Sequence, residues 1–573
     1  MKLIRYLKPY WWIALLTPLT MIGEVLVDLM QPKLMSEIVD QGVLGQQMEI
    51  IVHTGLMMLL LVVIGGACGV GSAFFSGWTS QSFAFDLRND VFRKVMDLSF
   101  EQTDQFTTGS LVTRMTNDIT AVQQFVDLAL RMLVRSGMLF AGGIYMMLHL
   151  NLSFGLVLVC SLPCELLIMF LLLKKAGPLY ALVQRKLDRV NSVVQENVSG
   201  ARVVKAYVRE DYEKKRFGRA NNELSDTNLR VQKIMALLNP LLMIVMNLSV
   251  IAIIYIGGWQ VEARSIGVGE VMAAVTYITQ ILMSIMMVSM MFQSISRARA
   301  SAERLIEVLD TSPAVVTGEQ QADRLGDIIF DHVSFHYPTS SGRPVLTDFC
   351  LTIHEGENIA VLGVTGSGKS SLVHLITRFY DVTGGEIRLG GRPIQEFDLQ
   401  SLRERVGMVL QKSELYSGTV ADNIRWGRTD ATDEEVQHAA RIAQADDFIA
   451  NIPGGYDGMI AEKGASLSGG QKQRLCIARA ILKRPQVLIF DDSTSALDLG
   501  TEARLRNALR EELKGTTIIT IAQRIASVMN CDRIALLEDG RLAACGTHEE
   551  LLATSPIYQD IYRSQNQREE ELK

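Results

Sequence analysis

Residues 358–371 read NIAVLGVTGSGKSS, and this stretch decides the fold of the second half of the chain. NIAVL is a strand-like apolar run, and the pattern after Ser371 is helical. Between them Gly363, Gly366 and Gly368 let the backbone turn its N–H groups inward, with Val364, Thr365 and Ser367 filling the gaps. A strand, a glycine loop and a helix in that order cradle phosphate. Lys369 is placed to reach the outer phosphates and Ser370 to ligate Mg2+. The pattern alone arises by chance at a modest rate; its flanks make it specific.

A second apolar run, Val487-Leu488-Ile489-Phe490, ends in Asp491. An acid at the carboxyl end of such a strand is where a Mg2+ ligand belongs. Between the two lies Leu467-Ser468-Gly469-Gly470-Gln471. Here the chain resembles the ABC ATPase family, whose signature is LSGGQ. The resemblance implies ATP as the nucleotide, and Mg2+ held by Ser370, Gln411 and Asp491. It implies that Tyr337, in VSFHYP, stacks on adenine, and that Gln411, in VLQKSELY, links nucleotide to membrane domain. Ser495-Ala496-Leu497-Asp498 matches the loop exchanged between two facing sites. In this family two ATP domains close head to tail, each ATP lying between one chain's phosphate loop and the other's LSGGQ, so a dimer is expected.

The first half is built for another solvent. The 573-residue chain is 48% hydrophobic, and its apolar residues gather into six runs near 11–31, 51–76, 129–150, 152–173, 240–259 and 270–292. Each approaches the roughly 20 apolar residues a spanning helix needs. Three connections are short and nearly free of Lys and Arg. The others are long and basic; the stretch from Lys174 to Asn239 includes Lys175, Arg185, Lys186, Arg189 and Arg202. The positive-inside rule puts those long connections, both termini and the ATP-binding half in the cytoplasm. Heptad-like spacing reads them as continued helix, with turns at Phe106–Asp118 and Tyr207–Tyr212. FTTGSLVTRMTND (106–118) and ENVSGARVVKAY (196–207) resemble the two cytoplasmic loops of six-helix ABC exporters. The expected fold is an all-α six-helix transmembrane domain with long cytoplasmic extensions (1–310), a linker (311–325) and an α/β ATP-binding domain (326–573). The net charge of −6 does not suggest nucleic-acid binding, and seven scattered cysteines without CxxC spacing fit a reducing cytoplasm.

Two positions depart from the family. Asp492 stands where a Glu usually orients the attacking water, and Gln523 where a His usually contacts the terminal phosphate. Asp is shorter by one methylene, about 1.3 Å, and a misplacement of about 1 Å can cost on the order of 10²-fold in rate. Gln hydrogen-bonds but does not take up a proton. Together they imply a site that binds ATP and hydrolyses it poorly, beside an intact LSGGQ that serves a partner. This pattern resembles the degenerate subunit of a bacterial heterodimeric multidrug exporter. The expected partner is a second, non-identical ABC half-transporter; a homodimeric lipid or peptide exporter and a channel-like or regulatory relative are the alternatives. For a small-molecule cavity the candidates are Met283, Met286, Met287 and Met290 in the sixth run, because flexible Met suits varied apolar ligands. Glu24, Asp28 and Glu165 are acids inside apolar runs; the first two share a helix face and either attract cations or pair with a neighbouring helix.

Overall fold

The computed structural model describes residues 2–338, 342, 344–493 and 497–571, without the side chains of 289, 290, 292, 293, 463, 499 and 566–571. It divides into two units, one of Met1–Lys94 and Val112–Asp310, the other of Val95–Leu111 and Thr311–Lys573.

Each apolar run of the first unit becomes a helix, and among the described residues six helices are long and apolar enough to cross a membrane. They are α1 (Trp11–Glu37), α2 (Met48–Asp97), then past a short α3 (Phe100–Phe106) the helical run α4 (Thr108–Leu150), α5 (Leu152–Ser199), then past α6 (Ala201–Ala206) the pair α7 (Glu210–Met235) and α8 (Leu238–Glu262), and α9 (Val268–Asp310). α5 starts at Asn151, whose side chain accepts from the Ser153 N–H, and runs through Pro163 and Pro178 to Gly200. The chain breaks at Tyr207–Arg209, where Val208 takes φ +52°, and α7 opens with Glu210, Asp211 and Glu213, acids that suit a helix N-terminus.

The expected turn over Phe106–Asp118 is corrected. The chain reverses at Leu98–Ser99 and again at Thr107, at φ +58°, and is helical from Thr108. Thr, Asn and Asp are poor helix formers, but here tertiary contacts override them. Asp118 is buried and accepts from Ser301 Oγ and Arg304 Nε, both at 2.8 Å. Arg114 donates to the Arg304 carbonyl at 2.7 Å and pairs with Glu307 at 2.8 Å.

In the second unit an antiparallel sheet contains β1 (Ile328–Phe335), β2 (Leu346–Ile353) and β4 (Gly384–Leu389), in the order β2-β1-β4 with Arg392–Pro393 at the edge. The main sheet holds β3 (Asn358–Leu362), β5 (Val406–Val409), β6 (Val487–Asp491), β7 (Thr517–Ala522), β8 (Arg533–Glu538) and β9 (Arg541–Gly546), in the order β9-β8-β3-β7-β6-β5. All neighbours are parallel except β8 and β9. Every residue of β6 is buried, as expected of a strand covered on both faces. β7 lies between β3 and β6, so the loops leaving these three strands emerge side by side at one edge. Such an edge is where open α/β sheets bind ligands.

Val95–Leu111 packs within this same unit. Phe100 stacks on Phe379 with ring centroids 4.3 Å apart, and Tyr380 donates its hydroxyl proton to Asp104 at 2.6 Å. Gln102 Oε1 and Ser99 Oγ accept from the N–H groups of Ala314 and Val315.

Candidate nucleotide site

The loop after β3 leads into α10 (Lys369–Ile376). Gly366 and Gly368 sit at φ +86° and +101°. A Cβ on Gly363 would lie 2.3 Å from the Leu537 carbonyl oxygen, and one on Gly368 would lie 2.9 Å from that of Val345. Two glycines are therefore required by space, and Gly366 by conformation alone. Thr365 is exposed at the tip, while Ser367, Lys369 and Ser371 are buried. Lys369 Nζ folds back onto the carbonyls of Gly363 and Val364 at 2.9 and 2.8 Å. Burial lowers its pKa, with the negative charges of Asp492 and Asp491 opposing. Ser367 Oγ is buried and has no hydrogen-bond partner among the described residues, a polar atom open to a ligand.

β6 delivers Asp491, whose Oδ1 accepts from Ser370 Oγ at 2.8 Å. A hydroxyl and a carboxylate brought together at a phosphate loop are a hard-oxygen donor set that fits Mg2+. Gln411 is exposed two residues past β5, at the same edge of the sheet. Tyr337 is half-buried, bonded through its hydroxyl to Ser371 Oγ at 2.9 Å and edge-on to Tyr380.

The two departures from the family meet. Gln523, just past β7, donates from Nε2 to Asp492 Oδ2 at 2.8 Å. Burial pushes the Asp492 carboxyl up, with the Gln523 hydrogen bond opposing. Asp492 itself sits at φ +46°, a left-handed conformation that Asp adopts more readily than longer side chains.

Leu467 and Ser468 precede α11 (Gly469–Leu482). Ser468 and Gln471 form a reciprocal capping box, and Ser468 and Gly469 are exposed. The helix start therefore presents free N–H groups outward, a site for an anion held from the other side. Asp498 is exposed and caps α12 (Leu499–Glu512) by accepting from the Thr501 N–H at 2.9 Å; Leu497 beside it is buried. Ser495 and Ala496 lie outside the described residues, as does the side chain of Met290.

In the first unit Glu24 and Asp28 are not free. Arg135 of α4 donates to Glu24 and, at 2.9 Å, to Asp28. Sequence reading missed Arg135, although the two arginines of the run 129–150, Arg131 and Arg135, were a signal. Glu165 is buried, and its Oε2 has no hydrogen-bond partner among the described residues; Met283 is exposed and Met286 and Met287 are half-buried. Also missed were Phe100 and Asp104, in a connection read as continued helix, and Gln565.

Residues 14–285 match the ABC transporter transmembrane region and residues 346–495 the ABC transporter ATP-binding family model. The chain is 39% identical over 569 residues to the ABC transporter ATP-binding protein YfiB of Bacillus subtilis (strain 168), covering 99% of each. It is 32% identical to an ATP-dependent lipid A-core flippase of Syntrophus aciditrophicus (strain SB), covering 92% of this chain and 88% of that one. Among solved structures it superposes on a bacterial Atm1-family ABC exporter with ATP bound, with TM-score 0.78, 26% identity and 98% of both chains covered. A six-helix membrane unit joined to a phosphate-loop α/β unit defines an ABC exporter, a multi-pass membrane protein whose ATPase domain hydrolyses ATP. This chain belongs to the ABC transporter family, with the fold of the Atm1-type exporters.

Proposed function

We propose that this chain is the degenerate-site half of a heterodimeric exporter that moves small amphipathic or apolar compounds out of a bacterial cell. The observation that supports it most is the Gln523–Asp492 hydrogen bond. The carboxylate positioned to orient a water is held by an amide that does not accept a proton, so the site retains ATP rather than turning it over. Gly363–Ser371 wrap the phosphates, Lys369 leaves its loop carbonyls for them, and Tyr337 supports adenine. Mg2+ bound at Ser370 and Asp491, with Gln411 beside them, would neutralise phosphate charge. Leu467–Gln471 complete the partner's site, where hydrolysis takes place. By sequence, Ser495–Asp498 match the loop exchanged between two facing sites. Residues 1–310 form the membrane domain, 311–325 the linker and 326–573 the ATP-binding domain, with both termini in the cytoplasm.

For the substrate, Arg135 offsets much of the negative charge of Glu24 and Asp28, which favours uncharged or amphipathic molecules over simple cations. Met283, Met286, Met287 and Glu165 are the residues offered for the substrate's path, together with Met290 by sequence position alone. A lipid-like amphiphile is the second reading, favoured by the relative named a lipid A-core flippase.

The test is ATP hydrolysis by the purified chain alone and co-purified with a neighbouring ABC subunit. Little activity alone, robust activity together, and dependence on the partner's catalytic Glu rather than on Asp492 support the reading. Robust activity from this chain alone replaces it with a homodimer.

A further inference from the structure

The C-terminal helix α13 (Pro556–Glu571) reaches the nucleotide site through one side chain. Gln565 accepts from the Ile525 N–H through Oε1 and donates to the Gln523 carbonyl through Nε2, both at 2.8 Å. One carboxamide thus straddles the backbone on either side of Arg524. Only a side chain that donates and accepts at once satisfies both groups.

The helix holding that carboxamide is itself fixed. Tyr558 is fully buried, and its hydroxyl lies 2.6 Å from His548 Nδ1. Gln559 donates to the Leu552 carbonyl at 2.8 Å. Ile557, Ile561 and Tyr562 pack on a core that includes Ala360 and Leu362 of β3, Ala522 of β7, and Ile525. The base of α13 and the strands that carry the phosphate loop and Gln523 therefore share one packed cluster.

From Gln523 the path continues to the Asp492 carboxylate, whose charge is felt at Lys369. We propose that Gln565 is a positioning residue: it sets the backbone of Gln523 so that the Gln523 amide meets Asp492 beside the terminal phosphate. The C-terminal helix thereby tunes how firmly this site holds ATP in preference to ADP. The inference rests on the reading of Gln523 and Asp492 as the residues facing that phosphate, but not on whether the partner is identical.

The test uses the full chain, with whatever subunit co-purifies, in lipid nanodiscs. The chain is photolabelled with 8-azido-ATP under non-hydrolysing conditions, and the label is competed with ATP and with ADP. Gln565→Ala and Gln565→Glu, which keeps one bond and opposes the other, are compared with Gln523→Ala and the Gln523→Ala/Gln565→Ala double variant. Each lost hydrogen bond is worth about 3- to 10-fold, so both Gln565 variants are expected to lower the preference for ATP over ADP by that factor. ADP affinity stays unchanged, and Gln565→Ala has no further effect once Gln523 is alanine. Equal losses for ATP and ADP, whether from misfolding or otherwise, or additive effects in the double variant, overturn the proposal. If Gln523→Ala itself leaves the preference intact, the reading of Gln523 fails as well; if only the Gln565 variants are silent, the positioning role alone fails.

Discussion

At the scale of single residues, the strand–loop–helix and the strand-end acid were legible because they are contiguous motifs at the ends of strands. Glycines at 363 and 368 are forced by carbonyls 2.3 and 2.9 Å from any Cβ, and Asp491 is where an all-buried strand meets the sheet edge. The pairing of Asp492 with Gln523 was not legible, because the partners lie 31 residues apart and meet only through the parallel register of β6 and β7. If that pair is what slows the site, Asp492→Glu with Gln523→His should raise hydrolysis at this chain's own site by on the order of 10- to 100-fold, as a recovered ångström of placement would. Phosphate release, measured with the partner's catalytic Glu removed, checks it; no gain would place the defect elsewhere. A structural ion pair gives a second residue-scale expectation. Glu357 is nearly buried and takes Arg533 Nη2 at 2.8 Å and the His354 N–H at 2.8 Å. Burial alone would raise its pKa, but these bonds hold it below the ordinary value. A depressed folded pKa means the stabilisation is complete above the ordinary carboxylate value and fades as pH falls through the folded one. Glu357→Gln should therefore cost about 1–3 kcal/mol at neutral pH, with the gap in melting temperature from the wild type closing in acid.

At the scale of elements, the six apolar runs and their three short connections were readable because the bilayer fixes helix length. The stretch Phe106–Asp118 was misread because propensity is local and the Asp118–Arg304 pair spans 186 residues. Just before that stretch, in a connection read as continued helix, lies α3. Phe100 stacks on Phe379, and Tyr380 bonds Asp104 while standing edge-on to Tyr337. A loop between two membrane helices thus packs against the aromatic cluster that borders the nucleotide site. Phe100→Ala removes a ring contact worth about 1 kcal/mol, enough to shift a coupling equilibrium about five-fold. Substrate-stimulated hydrolysis should fall by about that factor, with ATP affinity unchanged. Basal and stimulated rates, measured side by side, separate this from a folding defect, which would lower both.

At the scale of the whole molecule, one chain contains one phosphate loop and one outward-facing signature helix, and exporters of this family act as dimers. Ser468 and Gly469 are exposed, so under the proposed function the signature is open to a phosphate brought by another chain. Whether that chain is a second copy is a question of which phosphate loop Ser468 faces. The native thiols must be removed first, since Cys160, Cys164, Cys350 and Cys545 are exposed and would cross-link on their own. In that background Ser468→Cys and Thr365→Cys are placed on separately tagged copies and oxidised with ATP present. If the partner is non-identical, the two copies do not link to each other, while Ser468→Cys links to a cysteine at the loop-tip position of the partner. An ATP-dependent bond between two copies of this chain would instead put two Asp492–Gln523 pairs into one dimer. Slow turnover would then belong to the whole transporter, and the weak site would be its working site.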